Sequence, residues 1–502
     1  MERNTVIAIV LSVVVVVAGF SIQNFLYPPE KTQTAQQKTL PEPNKNESVT
    51  ATTSVVSESP VAPLDAPVVA ETPADTAALP VTESKYVIET DLIRAEFTNK
   101  GGDIVSYKLK KHSSVTGDVE MADYVTDQNR AFSVILGNEN VVPLNDLFNV
   151  KVINDKSIGF YRDYKVKNAD GTESSFTLVK QYSFLPDDYM FELKVTFDGD
   201  SSLSGLKFGN VAYTLTTSPQ IGPQWNEKQN TYEFRKFFQM SNGKKKVLNV
   251  GSGKEDRSKD SVEWAGVAGK YFALVAYPDN GIQQAVYSRV PGADGATTAQ
   301  LFLSRAPISA NKNTDTWHIY IGPKTDKDLS KYNIAENNKY KLSDAKLDSI
   351  VESSGILAPL EVLLKWLMEF FFKLIPNWGV SIIILTILMR AVLFPLTKKS
   401  SVATLKMQEL QPKIQEIQDK YKNNPQKMNE EMAKFYQTAG YNPLSGCLPV
   451  LIQFPLIFAM YNLFNNYFEF RGAMFIPGWI PDLSIGDKIM SFGFTIPLIN
   501  FS

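Results

Sequence analysis

Residues 377–399 read NWGVSIIILTILMRAVLFPLTKK, and no other stretch constrains the fold as strongly. From 380 to 396 it is apolar except for Ser381, Thr386 and Arg390. A helix of that length reaches across most of a hydrocarbon layer of roughly 30 Å at about 1.5 Å per residue. Trp378 suits one interface, and Lys398 with Lys399 marks the cytoplasmic end. Arg390 lies about 12 Å of helix rise from Lys398 and about 18 Å from Trp378, inside the membrane and nearer the cytoplasm. A guanidinium at that depth is costly unless it faces a wet cavity or a partner, or snorkels to the headgroups. Thr386, four residues earlier on the same face, favours the polar cavity.

A further spanning segment is expected at 442–468, NPLSGCLPVLIQFPLIFAMY and onward. It carries Gly446, Pro449, Gln453 and Pro455, which a membrane helix tolerates when neighbours satisfy the freed carbonyls. Gln453 is a second intramembrane polar group and again implies a wet or partner-facing side. Ahead of residue 377, the region 341–376 is expected to hold an interfacial helix. Glu361, Lys365, Glu369 and Lys373 recur every four residues and make one polar stripe along an otherwise apolar cylinder. Lying in the interface keeps that stripe wet.

Between the two spans, 398–441 is polar and helical, with lysines outnumbering acids eight to five. Met407, Leu410, Ile414, Ile417 and Tyr421 form one apolar seam, and Met428, Met432 and Phe435 a second after the turn at Asn423-Asn424-Pro425. The pattern predicts an antiparallel helical hairpin, cytoplasmic and next to anionic lipid.

At the other end, 6–22 is apolar and no charge falls between Arg3 and Glu30. With no obvious small-residue cleavage site, residues 1–27 are expected to be an uncleaved anchor with a cytoplasmic N-terminus. Residues 28–83 are rich in Thr, Ala, Pro, Glu and Val, and read as a disordered tether. From 84 to 340 strand patterns dominate: 86–97, 175–184, 189–197, 271–277, 300–304 and 316–321. Turn signals separate them, among them Gly101-Gly102, Pro186-Asp187-Asp188 and Pro278-Asp279-Asn280-Gly281, as in a sandwich. The spans then run in, out, in, out, with the β-domain outside the cytoplasm.

Chemistry is sparse. The 51 basic and 53 acidic residues give a net charge of −2, which argues against nucleic-acid binding. Cys447 is the single cysteine, so no intramolecular disulfide is possible. With His112 and His318 the only histidines, a metal site would lean on carboxylates. Gly251-Ser-Gly-Lys254 is a poor match to a phosphate loop and reads as a solvated turn. Trp225, Trp264 and Trp317 could line a groove but suit a core. No enzyme, metal or cofactor is expected.

The strings NWGVSIIILTILMRAVLFPLTKKS, LKMQELQPKIQEIQDKY and NPLSGCLPVLIQFPLIFAMY resemble the YidC family of membrane protein insertases, and FTNKGGDIVSYKLKKH resembles an early part of its periplasmic domain. The resemblance implies a multi-pass α-helical protein of the inner membrane, with a large all-β periplasmic domain (a β-supersandwich) and a cytoplasmic helical hairpin. It implies a hydrophilic groove open to cytoplasm and lipid, with Arg390 as its positive residue and Thr386 and Gln453 as polar lining. Phe454 and Pro455 would lie on the helix that contacts substrate. The hairpin, with Lys406, Lys413 and Lys420, would recruit nascent inner-membrane proteins or the ribosome, with the Sec translocon as a further partner. The family core has five membrane helices after the anchor; this chain holds two and stops at Ser502, in what resembles the periplasmic loop 469–502 before the next helix. The alternative is a membrane-anchored periplasmic binding or structural protein, which leaves Arg390 unexplained.

Overall fold

The computed structural model describes residues 69–70, 82–114, 117–167, 173–199, 210–225, 233–290, 297–308, 310–351, 355–440 and 448–485. The expected anchor at 1–27, Cys447 and the chain end beyond 485 lie outside the described residues. The described residues fall into two compact units: those between 69 and 355 together with 463–485, and those between 356 and 462.

The first unit is built from antiparallel sheets. Its largest sheet runs Val69–Ala70, Ser157–Lys167, Glu173–Phe184, Met190–Gly199, Lys312–Pro323, Phe272–Pro278, Trp264–Ala268, Lys236–Ser241 and Lys244–Leu248, with Asn149–Asn154 also on Ser157–Lys167. A five-stranded sheet (Lys254–Arg257, Gln284–Arg289, Gln300–Arg305, Tyr213–Thr216, Val134–Ile135) and a four-stranded one (Lys85–Glu89, Ile93–Thr98, Asp103–Ser114, Gly117–Glu120) complete it. Part of the expected tether is thus ordered, since Val69 and Ala70 pair with Val166 and Lys165.

Sequence pattern explains which strands sit where. In Met190–Gly199, Phe191, Leu193, Val195 and Phe197 are buried and alternate with more exposed residues, the period of two that one-sided burial requires. Trp264–Ala268 and Phe272–Pro278 are apolar nearly throughout and buried on both faces. Aromatics interlock within and between the sheets: Phe97 of the four-stranded sheet and Tyr182 of the largest lie 4.9 Å apart by ring centroid, and Phe184 and Phe191, paired on adjacent strands of the largest sheet, 4.8 Å. Trp225, Trp264 and Trp317 all belong to this interior.

Two expectations need correction. The run 86–97 is a hairpin, Lys85–Glu89 and Ile93–Thr98, because the Thr90 hydroxyl accepts hydrogen bonds from the amides of Leu92 and Ile93 (3.1 Å each) and turns the chain. The β-domain also extends past residue 340. Leu342, Ala345, Leu347 and Ile350 join its core, and the Trp264 indole donates to the Ala345 carbonyl at 2.9 Å. Within the region 341–376 the helix itself occupies Ala358–Leu374 (α1), and the residues up to Ile350 belong to the β-domain.

A buried polar cluster lies under the Gly101-Gly102 turn. The Asp103 carboxylate accepts from Lys180, from Arg130 Nε at 3.1 Å and from the Ser133 hydroxyl at 2.8 Å. Lys180 also donates to the Gly101 carbonyl (2.9 Å) and the Tyr182 hydroxyl to that of Gly102 (3.0 Å). Both glycines have positive φ, and a Cβ at Gly102 would come within 2.6 Å of Phe160 Cβ. The sequence NKGGD thus serves a tight turn that sends two carbonyls inward.

The second unit is helical: α1, then α2 (Trp378–Lys420), α3 (Pro425–Thr438) and α4 (Leu448–Asn466). The apolar segment expected to span the membrane and the first arm of the expected hairpin are one continuous helix of 43 residues. Pro395 and Pro412 lie within it, and neither ends it.

Candidate functional site in the helical unit

Asn377 starts α2 by accepting a hydrogen bond from the Val380 amide on its side chain (3.1 Å), while the Ser381 hydroxyl donates to the Asn377 carbonyl (3.0 Å). The Trp378 ring stacks on Phe372 of α1 with centroids 3.9 Å apart. Leu364 and Met368 of α1 are buried, as are Ser381 and Leu385 of α2. The opposite side of α1 exposes Val362, Leu363, Trp366, Phe370 and Leu374. An apolar stripe of that kind, flanked by the Lys365–Glu369 pair at 3.9 Å, is what an interfacial helix presents to lipid.

Trp378–Lys398 is the one helix among the described residues that is long and apolar enough to cross a membrane by length and composition. Ile383, Ile387, Val392 and Phe394 are exposed along it. Arg390 is exposed too, and among the described residues no carboxylate pairs with it. Thr386, one turn before, is exposed and returns its hydroxyl to the Ile382 carbonyl at 2.8 Å. The same back-bonding recurs at Thr397 and Ser401 on either side of the cytoplasmic boundary expected from Lys398.

On α4, Gln453, Phe454 and Pro455 are all exposed, with the Phe454 and Phe458 rings stacked at 6.2 Å. Among the described residues no hydrogen bond or ion pair joins them to Arg390 or Thr386, so the five expected groove residues stand as two exposed sets on two helices. In the hairpin, Ile414 and Met432 are buried on the two predicted seams. Lys406, Lys413 and Lys420 are seven residues apart and exposed, so they share one face of α2. Lys406 reaches the Gly440 carbonyl at 3.5 Å, and Lys420 lies over the Tyr421 ring. Lys434 is tied to Glu430 (2.7 Å) and Glu431 (3.3 Å). Among the described residues no group of histidine, cysteine and carboxylate side chains could hold a metal ion.

Sequence reading passed over two features of this unit. Asn377 carries an N-cap signal that the sequence did contain, an Asn directly before the apolar run. Glu361 has a buried carboxylate oxygen with no hydrogen-bond partner, and nothing in the local sequence distinguishes it from the other charges of its stripe.

A large β-sheet domain, followed by a membrane-length helix with a solitary exposed arginine and a polar hairpin, defines a membrane protein with an extensive extramembrane domain. The family model described as "60Kd inner membrane protein" matches residues 370–501, and the YidC periplasmic domain matches residues 85–352. The chain belongs to the YidC family. It is 50% identical to the membrane protein insertase YidC of Treponema denticola, over 100% of this chain and 87% of that protein. It is 42% identical to that of Treponema pallidum, again over 100% of this chain and 87% of the relative. A solved structure titled as an active YidC insertase with its first transmembrane domain resolved matches at 16% identity, covering 82% of this chain and 79% of that one. Its TM-score of 0.29 is too low to add to the assignment.

Proposed function

We propose that this chain is a membrane protein insertase, working from the inner membrane with its β-domain in the periplasm. The full-length identity to insertases carries the reading, and Arg390 supports how it would work. An exposed guanidinium with no carboxylate partner among the described residues, on a helix otherwise suited to lipid, favours a setting in which water or a substrate reaches it. Arg390 and Thr386 would line a hydrophilic groove with Gln453, and Phe454 and Pro455 would meet the apolar segment of the entering protein. The groove draws the polar tail of a nascent inner-membrane protein partway across, which shortens its passage through hydrocarbon. Burial of the substrate's apolar segment, at about 25 cal/mol per Å², supplies the driving force without a nucleotide. The lysine face of α2 would meet anionic lipid or the ribosome, and the Sec translocon would be a partner for some substrates.

A photo-crosslinker at Thr386 or Gln453, in membranes that are synthesising a short inner-membrane protein, tests this. Adducts to the nascent chain are expected at both positions. Their absence, under conditions in which the translocon is captured, overturns the groove.

A further inference from the structure

The chain leaves the β-sheet unit after Gly355 and returns to it at Leu463. Helices α1 to α3 and most of α4 are thus an excursion, and the returning segment is not a free loop. It turns at Phe468–Phe470, and the Leu483 amide bonds back to the Ala473 carbonyl at 3.0 Å. Phe468 inserts edge-on among three rings of the β-domain: His112 at 5.3 Å, Phe272 at 5.6 Å and Tyr271 at 6.1 Å. Arg471 covers the Phe272 ring with its guanidinium carbon 5.0 Å from the centroid. Lys270 donates to the Asn465 side chain at 3.3 Å. Tyr467 and Phe470 are buried by the turn.

We infer that residues 465–484 are a latch, which fixes the C-terminal end of α4 to the β-domain through Phe468 and Arg471. A phenylalanine held by three rings, one of which (Phe272) is itself covered by the Arg471 guanidinium, has the makeup of an interaction hot spot, in which a few aromatic and arginine anchors dominate. Asn465 lies in the last turn of α4, and the groove residues Gln453, Phe454 and Pro455 lie ten to twelve residues earlier on that helix. The latch gives the β-domain a role in insertion: it limits how far the substrate-contacting helix can shift. Its geometry stands apart from the proposed function; its effect on insertion rests on that reading.

The test uses the full chain in membranes with Cys447→Ser as background. Lys270→Cys with Asn465→Cys should be joined by a short bis-methanethiosulfonate reagent, and the yield should fall at least fivefold when Phe468→Ala is added. Phe468→Ala and Arg471→Gln should each raise amide hydrogen exchange across 467–484 tenfold or more and leave the strand Met190–Gly199 unchanged. Both should lower insertion of a short inner-membrane protein. No crosslink, or unchanged exchange in both variants, overturns the latch. Faster exchange with normal insertion overturns its functional role. Failure of the unmodified chain to crosslink nascent protein from Gln453 strikes the insertase reading and leaves the latch standing.

Discussion

Lys180 is wholly buried against the carboxylate of Asp103, and neither side chain is exposed at the surface. Burial pulls the Lys180 pKa down, and the ion pair with Asp103 opposes that pull. Arg130 and Ser133 complete the carboxylate's shell. Removing one partner of a buried pair leaves the other charge uncompensated. Lys180→Met should therefore cost about 3 kcal/mol, the low end of the range because Arg130 stays with Asp103. Thermal unfolding followed by tryptophan fluorescence should show the midpoint drop by roughly 6–12 °C. Asp103→Asn combined with Lys180→Met should recover part of the loss; a double variant worse than the sum of the singles would contradict this account.

The turn that covers that cluster gives a second prediction. Gly102 has φ of +63° and its α-carbon faces Phe160. Gly102→Ala adds left-handed strain and a clash with a buried ring, so it should destabilise the β-domain by more than about 2 kcal/mol. Gly243 also has positive φ, with open space around it. Gly243→Ala should cost about 1 kcal/mol, the strain alone. Equal losses at the two sites, measured by chemical denaturation, would show that packing against Phe160 contributes nothing.

His112 makes the β-domain acid-sensitive. Burial first, and the charge of Arg471 second, lower its pKa from 6.5 to about 4. The folded protein thus keeps His112 neutral, with Nε2 3.0 Å from the Tyr189 hydroxyl, while the unfolded chain takes up a proton below 6.5. Unfolding binds more protons in that window, so stability is full above pH 6.5 and falls as pH drops towards 4. His112→Gln should flatten this slope between pH 6.5 and 4 in denaturation experiments. An imidazole titration by NMR with a midpoint near 6.5 in the folded protein would contradict it.

How much of this was legible in the sequence depends on the range of the forces involved. The 380–396 helix and the Ile414 and Met432 seams are local periodicities, and each side chain's environment follows from its neighbours in the chain. Met190–Gly199 was legible for the same reason. Lys180, by contrast, looks like an exposed strand lysine until Asp103, 77 residues away, is folded beneath it. The hairpin at Thr90 was hidden because its two strands continue one alternating pattern through a turn with no glycine or proline. The reach of the β-domain to Ile350 was missed for want of any strand or helix period in 341–351; short turns hold that stretch, anchored by Trp264. Phe468 and Arg471 carried no signal at all, since their partners at 112 and 271–272 are distant in sequence.

Arg390 offers the most direct test of function. Its charge is exposed on α2 with no carboxylate partner among the described residues, so an acidic side chain in an entering tail could pair with it in a partly desolvated setting. Arg390→Ala should reduce insertion about tenfold for a substrate whose translocated tail carries two or more Asp or Glu residues. That ratio corresponds to about 1.4 kcal/mol of lost attraction, just below the roughly 1.5–3 kcal/mol of a hydrogen bond to a charged group, as a partly hydrated pair should give. A neutral-tailed version of the same substrate should insert nearly as before. Arg390→Lys should retain intermediate activity with acidic tails, because it keeps the charge and loses the planar fork. Insertion assayed by protease protection separates the outcomes. Equal impairment of acidic and neutral tails would mean that Arg390 acts by hydrating the groove, and the pairing role would be lost.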